Sequence, residues 1–281
     1  MVSGKNSKAV RNARAAVVTQ RSTPWGLIAG IVVVVVFAGA IFGYYVVQNN
    51  TKQAMVAALA EFTPTAANKD PSTKIQGVVT QAYPGGQHVR PTQTVAYTHG
   101  PPFGGAHDGF WAACNGVVYP TAVRNENMVH ALEHGSVWIA YNPAQITGPA
   151  VATLAAKVKD QPYTLMSPYP GLDQPISLQS WGHQLKLSDV NDPRIDQFIQ
   201  ALRTNQYAYP EVGASCQALG PGQFDQDKPP PFAVAPPASA VNNATVMPEI
   251  VAGAAAGAVP DAGTGAAPPA PATGSGAGTG G

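Results

Sequence analysis

Residues 25–47 read WGLIAGIVVVVVFAGAIFGYYVV, a run without one charged side chain. At about 1.5 Å of rise per residue, a helix of this length crosses the roughly 30 Å hydrocarbon core of a bilayer. Trp25 at one end and Tyr44 and Tyr45 at the other are residue types that favour the membrane–water interface. The flank at 1–24 carries Lys5, Lys8, Arg11, Arg14 and Arg21 and no acidic residue. Because basic flanks stay in the cytoplasm, this pattern predicts a cytoplasmic N-terminus, one membrane-spanning helix and an extracytoplasmic remainder at the cell membrane. A cleaved signal sequence would have an apolar stretch of about 7–15 residues and a small-x-small site before polar sequence resumes. This run is longer and has no clear site of that kind.

Working outward, residues 48–73 read as a stalk or linker and 74–228 as one α+β domain. Residues 229–281 are rich in Pro, Ala and Gly, a composition that buries too little apolar surface to offset the entropy of ordering, so a disordered tail is expected. Within it, the apolar stretch at 247–252 is a candidate docking motif. Charged residues are 11% of the chain, against roughly 25% in a typical globular protein, which excludes coiled coils and acidic disordered proteins. The net charge of +1 gives no reason to expect nucleic acid as a partner. The bilayer is the expected partner, with a second membrane or envelope protein as a further candidate.

Short runs rich in β-branched and aromatic residues at 77–83, 94–98, 115–119, 136–141, 163–166 and 176–187 predict strands. The spacing predicts helices over 126–134, 149–159 and 193–205, with Asn125 and Asp192 as caps of the first and third. These elements do not alternate regularly, which points to an α+β fold without a nucleotide-binding crossover. Cys114 and Cys216 are the two cysteines. In an oxidising compartment they are expected to form a disulfide; the alternatives are Cys114 as a thiolate ligand or a free thiol.

All six histidines fall between His88 and His183. His130 and His134 stand at i and i+4 on a short helix, a spacing at which two imidazoles can share one metal ion. Glu126 continues the stripe one turn earlier, and Glu133 is placed to orient a ring nitrogen as a supporting acceptor. His99 and His107 lie on a Pro/Gly-rich loop that could fold over the helix, completing a candidate ligand set of His99, His107, His130 and His134. His88 and His183 stand apart and read as ordinary residues. Imidazole suits zinc, copper, iron and nickel, with copper or zinc the leading choice here.

The motifs Tyr97-x-His99-x-Pro101-Pro102-x-Gly104-x-x-His107, Gly116-Val117-Val118-Tyr119 and Val129-His130-Ala131-Leu132-Glu133-His134-Gly135, with Tyr141-Asn142 and Trp181-Gly182, resemble a bacterial family frequent in actinobacteria. It is a domain of unknown function, number 3105. The resemblance covers about 74–218. It implies a basic flank, one anchor, an extracytoplasmic domain, and a single site shared by the loop and the helix. Phe103 departs from the small hydroxyl residue common in the family at that position.

Three functions remain open on the sequence: a metal-binding module, a non-catalytic envelope interaction domain, and a zinc hydrolase. The last rests on His130-x-x-Glu133-His134, which matches the H-x-x-E-H pattern, with Glu211 as a distant third ligand. No catalytic residue is assigned beyond that pattern. Met128 offers a soft donor for copper, although on a helix it reads first as core packing.

Overall fold

The structure is a computed structural model and describes residues 24–253. The basic flank before Pro24 and the last part of the expected tail, 254–281, lie outside the described residues. The chain up to Ala58 and the chain from Leu59 onward form two separate compact units. The first is built on α1 (Trp25–Leu59), which has no buried residue and carries its apolar side chains all round. A helix with no polar face needs an apolar surrounding on every side. It is long and apolar enough to cross a membrane.

The second unit is organised by a six-stranded sheet in the order β1-β9-β8-β6-β7-β5. At its centre, β5 (Asn115–Val118), β6 (Val137–Tyr141) and β7 (Thr164–Pro168) run parallel, joined by α2 (Asn125–Glu133) and α3 (Pro149–Val158). From β5 the chain passes over the place of β7 to reach β6, then steps back. The two crossovers run in opposite directions, and their helices lie on opposite faces of the sheet. β8 (Ile176–Ser180) and β9 (His183–Leu187) form an antiparallel hairpin, which β1 (Val79–Thr80) extends at the edge, and α4 (Arg194–Leu202) follows.

The two faces carry two cores. Alternation along β6 sends Trp138 and Ala140 toward Met128, Val129 and Leu132 of α2. It sends Val137 and Ile139 toward Leu154 and Val158 of α3 and Ile195, Phe198 and Leu202 of α4. A strand buried on both sides reads as a continuous apolar run, as Val137-Trp138-Ile139-Ala140 does.

The sheet is thus mixed, with a parallel α/β half that the irregular sequence pattern did not announce. Residues 176–187, read as one strand, are a hairpin turning at Trp181-Gly182. Part of the expected linker also belongs to the domain, since Phe62 and Ser72 are buried. Outside the sheet, β2 (His88–Val89) pairs in parallel with β4 (His107–Asp108).

The expectation of disorder from 229 onward is corrected for the described part of the tail. β10 (Val246–Pro248) pairs in parallel with β3 (Thr94–Ala96), and Met247 is buried. Glu249 accepts from the Tyr83 hydroxyl at 3.1 Å and the Thr98 amide at 2.9 Å. Phe232 packs its ring on Tyr169 at 4.9 Å. Composition fails here because the segment needs no core of its own. It borrows a strand edge and an apolar face from the domain, so the candidate docking motif is docked on its own chain.

Candidate metal centre

Every residue of α2 is buried, including Glu126, His130 and Glu133. Arg124, not Asn125, occupies the N-cap position, without a side-chain cap hydrogen bond, and its guanidinium instead ties the start of the helix to its surroundings. It bonds Asp108 at 2.5 Å, Glu126 at 3.2 Å, Asn127 at 3.2 Å and the Gln93 carbonyl at 2.6 Å. At the other end Gly135 takes φ +87°, and a Cβ there would lie 2.6 Å from the Tyr209 ring. The helix therefore stops where His134 is aimed at the segment carrying Glu211.

Three histidines are held in the same way. His107 donates from Nδ1 to the Gly105 carbonyl at 2.8 Å, His130 to the Asp108 carbonyl at 2.6 Å, and His134 to the Ser215 carbonyl at 2.6 Å. A carbonyl can only accept, so in each ring Nδ1 carries a proton, which leaves Nε2 as the atom free to meet a ligand or a neighbour. This is the tautomer and the outer hydrogen bond expected of a metal-ligating histidine.

Those free ring nitrogens converge. His88, His107, His130 and Glu133 each place a ligating atom within 4.8 Å of one another, and His130, His134 and Glu211 form a second such group. His107 Nε2 lies 2.6 Å from Glu133 Oε2, and both side chains are 0% exposed. The two atoms nevertheless have no hydrogen-bond partner. A carboxylate oxygen and an imidazole lone pair at this separation repel unless a cation or proton lies between them. The other Glu133 oxygen is fixed by the Gly86 amide at 2.6 Å.

The rings pack as a layer. His88 stacks on His130 at 5.2 Å and meets His107 at 4.9 Å, while Trp111 covers His130 and His134 and Trp181 borders His107. Burial first, and then the neighbouring His107 and His134, push the His130 imidazolium well below its ordinary range, so the ring is neutral. Burial and His107 lower His88 as well. The His134 ring beside Glu211, 3.1 Å away, holds that carboxyl below its usual range.

The expected site residues separate clearly. His107, His130 and His134 come together, but His99 does not: its Nδ1 meets Thr98 Oγ1 at 3.1 Å and its ring packs on Phe103. Glu126 is likewise outside, because it accepts from the Val95 amide at 2.8 Å and pairs with Arg124, fastening β3 to the helix. Glu133 moves from a supporting place into the ligand group itself. Glu211 joins His130 and His134. Met128 is fully buried and packs in the hydrophobic core.

His88, read as ordinary, is in the group with His107, His130 and Glu133. The signal was present: Gly85-Gly86-Gln87-His88 repeats the pattern of Gly104-Gly105-Ala106-His107, and the two histidines sit opposite each other in the β2–β4 register. His183 is engaged elsewhere, with Asp70 at 3.1 Å. Cys114 and Cys216 form a disulfide, so neither is a ligand or a free thiol.

Residues 88–218 match the family described as a protein of unknown function (DUF3105). This segment is similar to the DUF3105 family. It starts at His88 and includes Glu211, so all six converging ligand candidates lie inside the DUF3105 match. Comparison with curated proteins and with solved structures gave no match.

Proposed function

We propose that this protein is a membrane-anchored, extracytoplasmic metal-binding protein whose DUF3105-like domain holds a divalent transition-metal ion, zinc or copper(II). The observation that carries this is the buried pair His107 Nε2 and Glu133 Oε2, 2.6 Å apart and lacking a hydrogen bond, at the focus of further oriented imidazoles. Leaving two buried polar groups unsatisfied costs several kcal/mol, and a cation between them removes that cost. The donors are nitrogens and carboxylate oxygens without sulfur, which favours zinc or copper(II) over copper(I). The apolar α1, the basic flank and the disulfide support anchoring with the domain outside the cytoplasm.

Elemental analysis of the full chain, purified in detergent without chelator, tests the reading. Bound zinc or copper removable by chelator is the expected result. Absence of metal, together with no uptake of either ion at micromolar concentration, overturns it.

A hydrolytic reading has one observation in its favour: His130, His134 and Glu211 do converge, as the H-x-x-E-H pattern requires. Against it, Glu133 is wholly buried, with one oxygen bound by the Gly86 amide and the other facing His107, so neither oxygen is turned to solvent as a general base would be. Peptide-cleaving activity lost in Glu133→Gln would reinstate it. A docking role toward an envelope protein is compatible with metal binding and adds to it.

A further inference from the structure

His130 belongs to both ligand groups. Its Nδ1 is committed to Asp108, so Nε2 is the one atom it can offer to either. One imidazole lone pair holds one ion. Building on the metal reading, we propose that the centre has two alternative seats for a single divalent ion: an outer seat at His130, His134 and Glu211, where the ion is captured, and an inner seat at His130, His107, Glu133 and His88, where it is retained. Transfer pivots on His130 Nε2.

The geometry makes the step short. Both seats lie one coordination bond from the same nitrogen, and at 2.0–2.1 Å per bond they are at most about 4.2 Å apart. The Asp108 carbonyl anchors the other side of the ring, so the shift between seats is a small swing of the ion about the axis of the Nε2 lone pair. The seats differ in exposure: Glu211 is 40% exposed, whereas His107 and Glu133 are 0% exposed. They also differ in donors, three at the outer seat and four at the inner. The extra donor and the unsatisfied His107–Glu133 pair draw the ion inward. His88 is itself 43% exposed, but its ring stacks on His130 and caps the inner seat on that side.

The outer seat is a built one. The Glu211 amide donates to the Glu133 carbonyl at 3.3 Å, and the Ser215 carbonyl orients His134. The adjacent Cys216 is bonded to Cys114, which pins this segment beside the helix. The six ligating side chains thus form a file from surface to core that one ion traverses. No bond to carbon changes and no redox step is involved.

The test uses the metal-stripped full chain in detergent, with cobalt(II) as a visible probe and zinc(II) for stoichiometry. Wild type should take up one ion per chain. Glu211→Gln and His134→Asn should slow cobalt loading at least tenfold and slow release to chelator by the same factor, leaving the equilibrium Kd within about threefold of wild type. His107→Ala should hold cobalt at the outer seat alone, with weaker binding and a changed visible spectrum. Two ions per chain in wild type overturn the proposal while leaving metal binding intact. So does wild-type loading in Glu211→Gln, the result expected if ions pass His88 instead. Loss of equilibrium affinity in Glu211→Gln overturns it too, because one shared seat would then use every ligand. A wild type that binds no ion overturns the metal reading itself.

Discussion

At the scale of single residues, the protonation of His130 sets how the metal-free protein responds to pH. Its folded pKa is depressed by burial and by His107 and His134, whereas the unfolded ring has a pKa near 6.5. Below about pH 6.5 the unfolded chain binds a proton that the folded chain does not, so stability is full above that value and falls as pH drops. Chemical denaturation of the metal-free protein should show a loss of about 1.4 kcal/mol per pH unit from this ring between pH 6.5 and its folded pKa. His130→Asn should flatten that slope. Bound metal should steepen the loss, since protons then compete with the ion for the same nitrogen. A second residue-scale expectation concerns Glu133: Glu133→Gln should weaken metal affinity by tenfold or more, measured by competition with a chromogenic chelator. It should also relieve the repulsion with His107 in the metal-free state, because the amide nitrogen can donate to Nε2.

The sequence revealed the i, i+4 pair and its glycine stop because both are local and helical spacing makes them neighbours. His99 and His107 could not be told apart in the same manner. Both sit on one loop, and it is the pairing of β2 with β4, absent from any spacing rule, that buries one and leaves the other beside Phe103. The carbonyls of Gly105, Asp108 and Ser215 that orient the rings are backbone groups, invisible to residue type.

At the scale of elements, α2 was legible as a helix but not as a buried one, because its inward face carries His130 and Glu133 rather than a purely apolar stripe. The tail strand β10 shows the opposite difficulty: its residues are ordinary, and only the free edge of β3 gives them a place. Met247 fills that place with a buried side chain. Met247→Ala should lower unfolding free energy by about 2–3 kcal/mol, in the range of large-to-small core substitutions. Truncation after Asn242 should remove more than that, read as a lower denaturant midpoint. A tail that is bystander to the fold would leave the midpoint unchanged.

At the scale of the molecule, the Cys114–Cys216 disulfide closes a span of 102 residues that includes α2 and most of the sheet. In the chain-entropy account a loop of this length contributes about 4–5 kcal/mol. For a domain near 200 residues, each kcal/mol is worth about 2–4 °C in Tm. Cys114→Ser with Cys216→Ser should therefore lower Tm by roughly 10 °C or more. Because Cys216 adjoins Ser215, the same variant should disturb the outer candidate ligands His134 and Glu211 more than the buried pair His107 and Glu133.

Synthesis gives the β3–β10 pairing one more meaning. Thr94 waits for Val246, and Thr98 waits for Glu249, partners made some 150 residues later. The candidate ligands all precede residue 212, so their segments leave the ribosome while this flank of the nascent chain still stands open. The strand that covers the β3 edge is therefore synthesised after every one of the converging histidines and carboxylates.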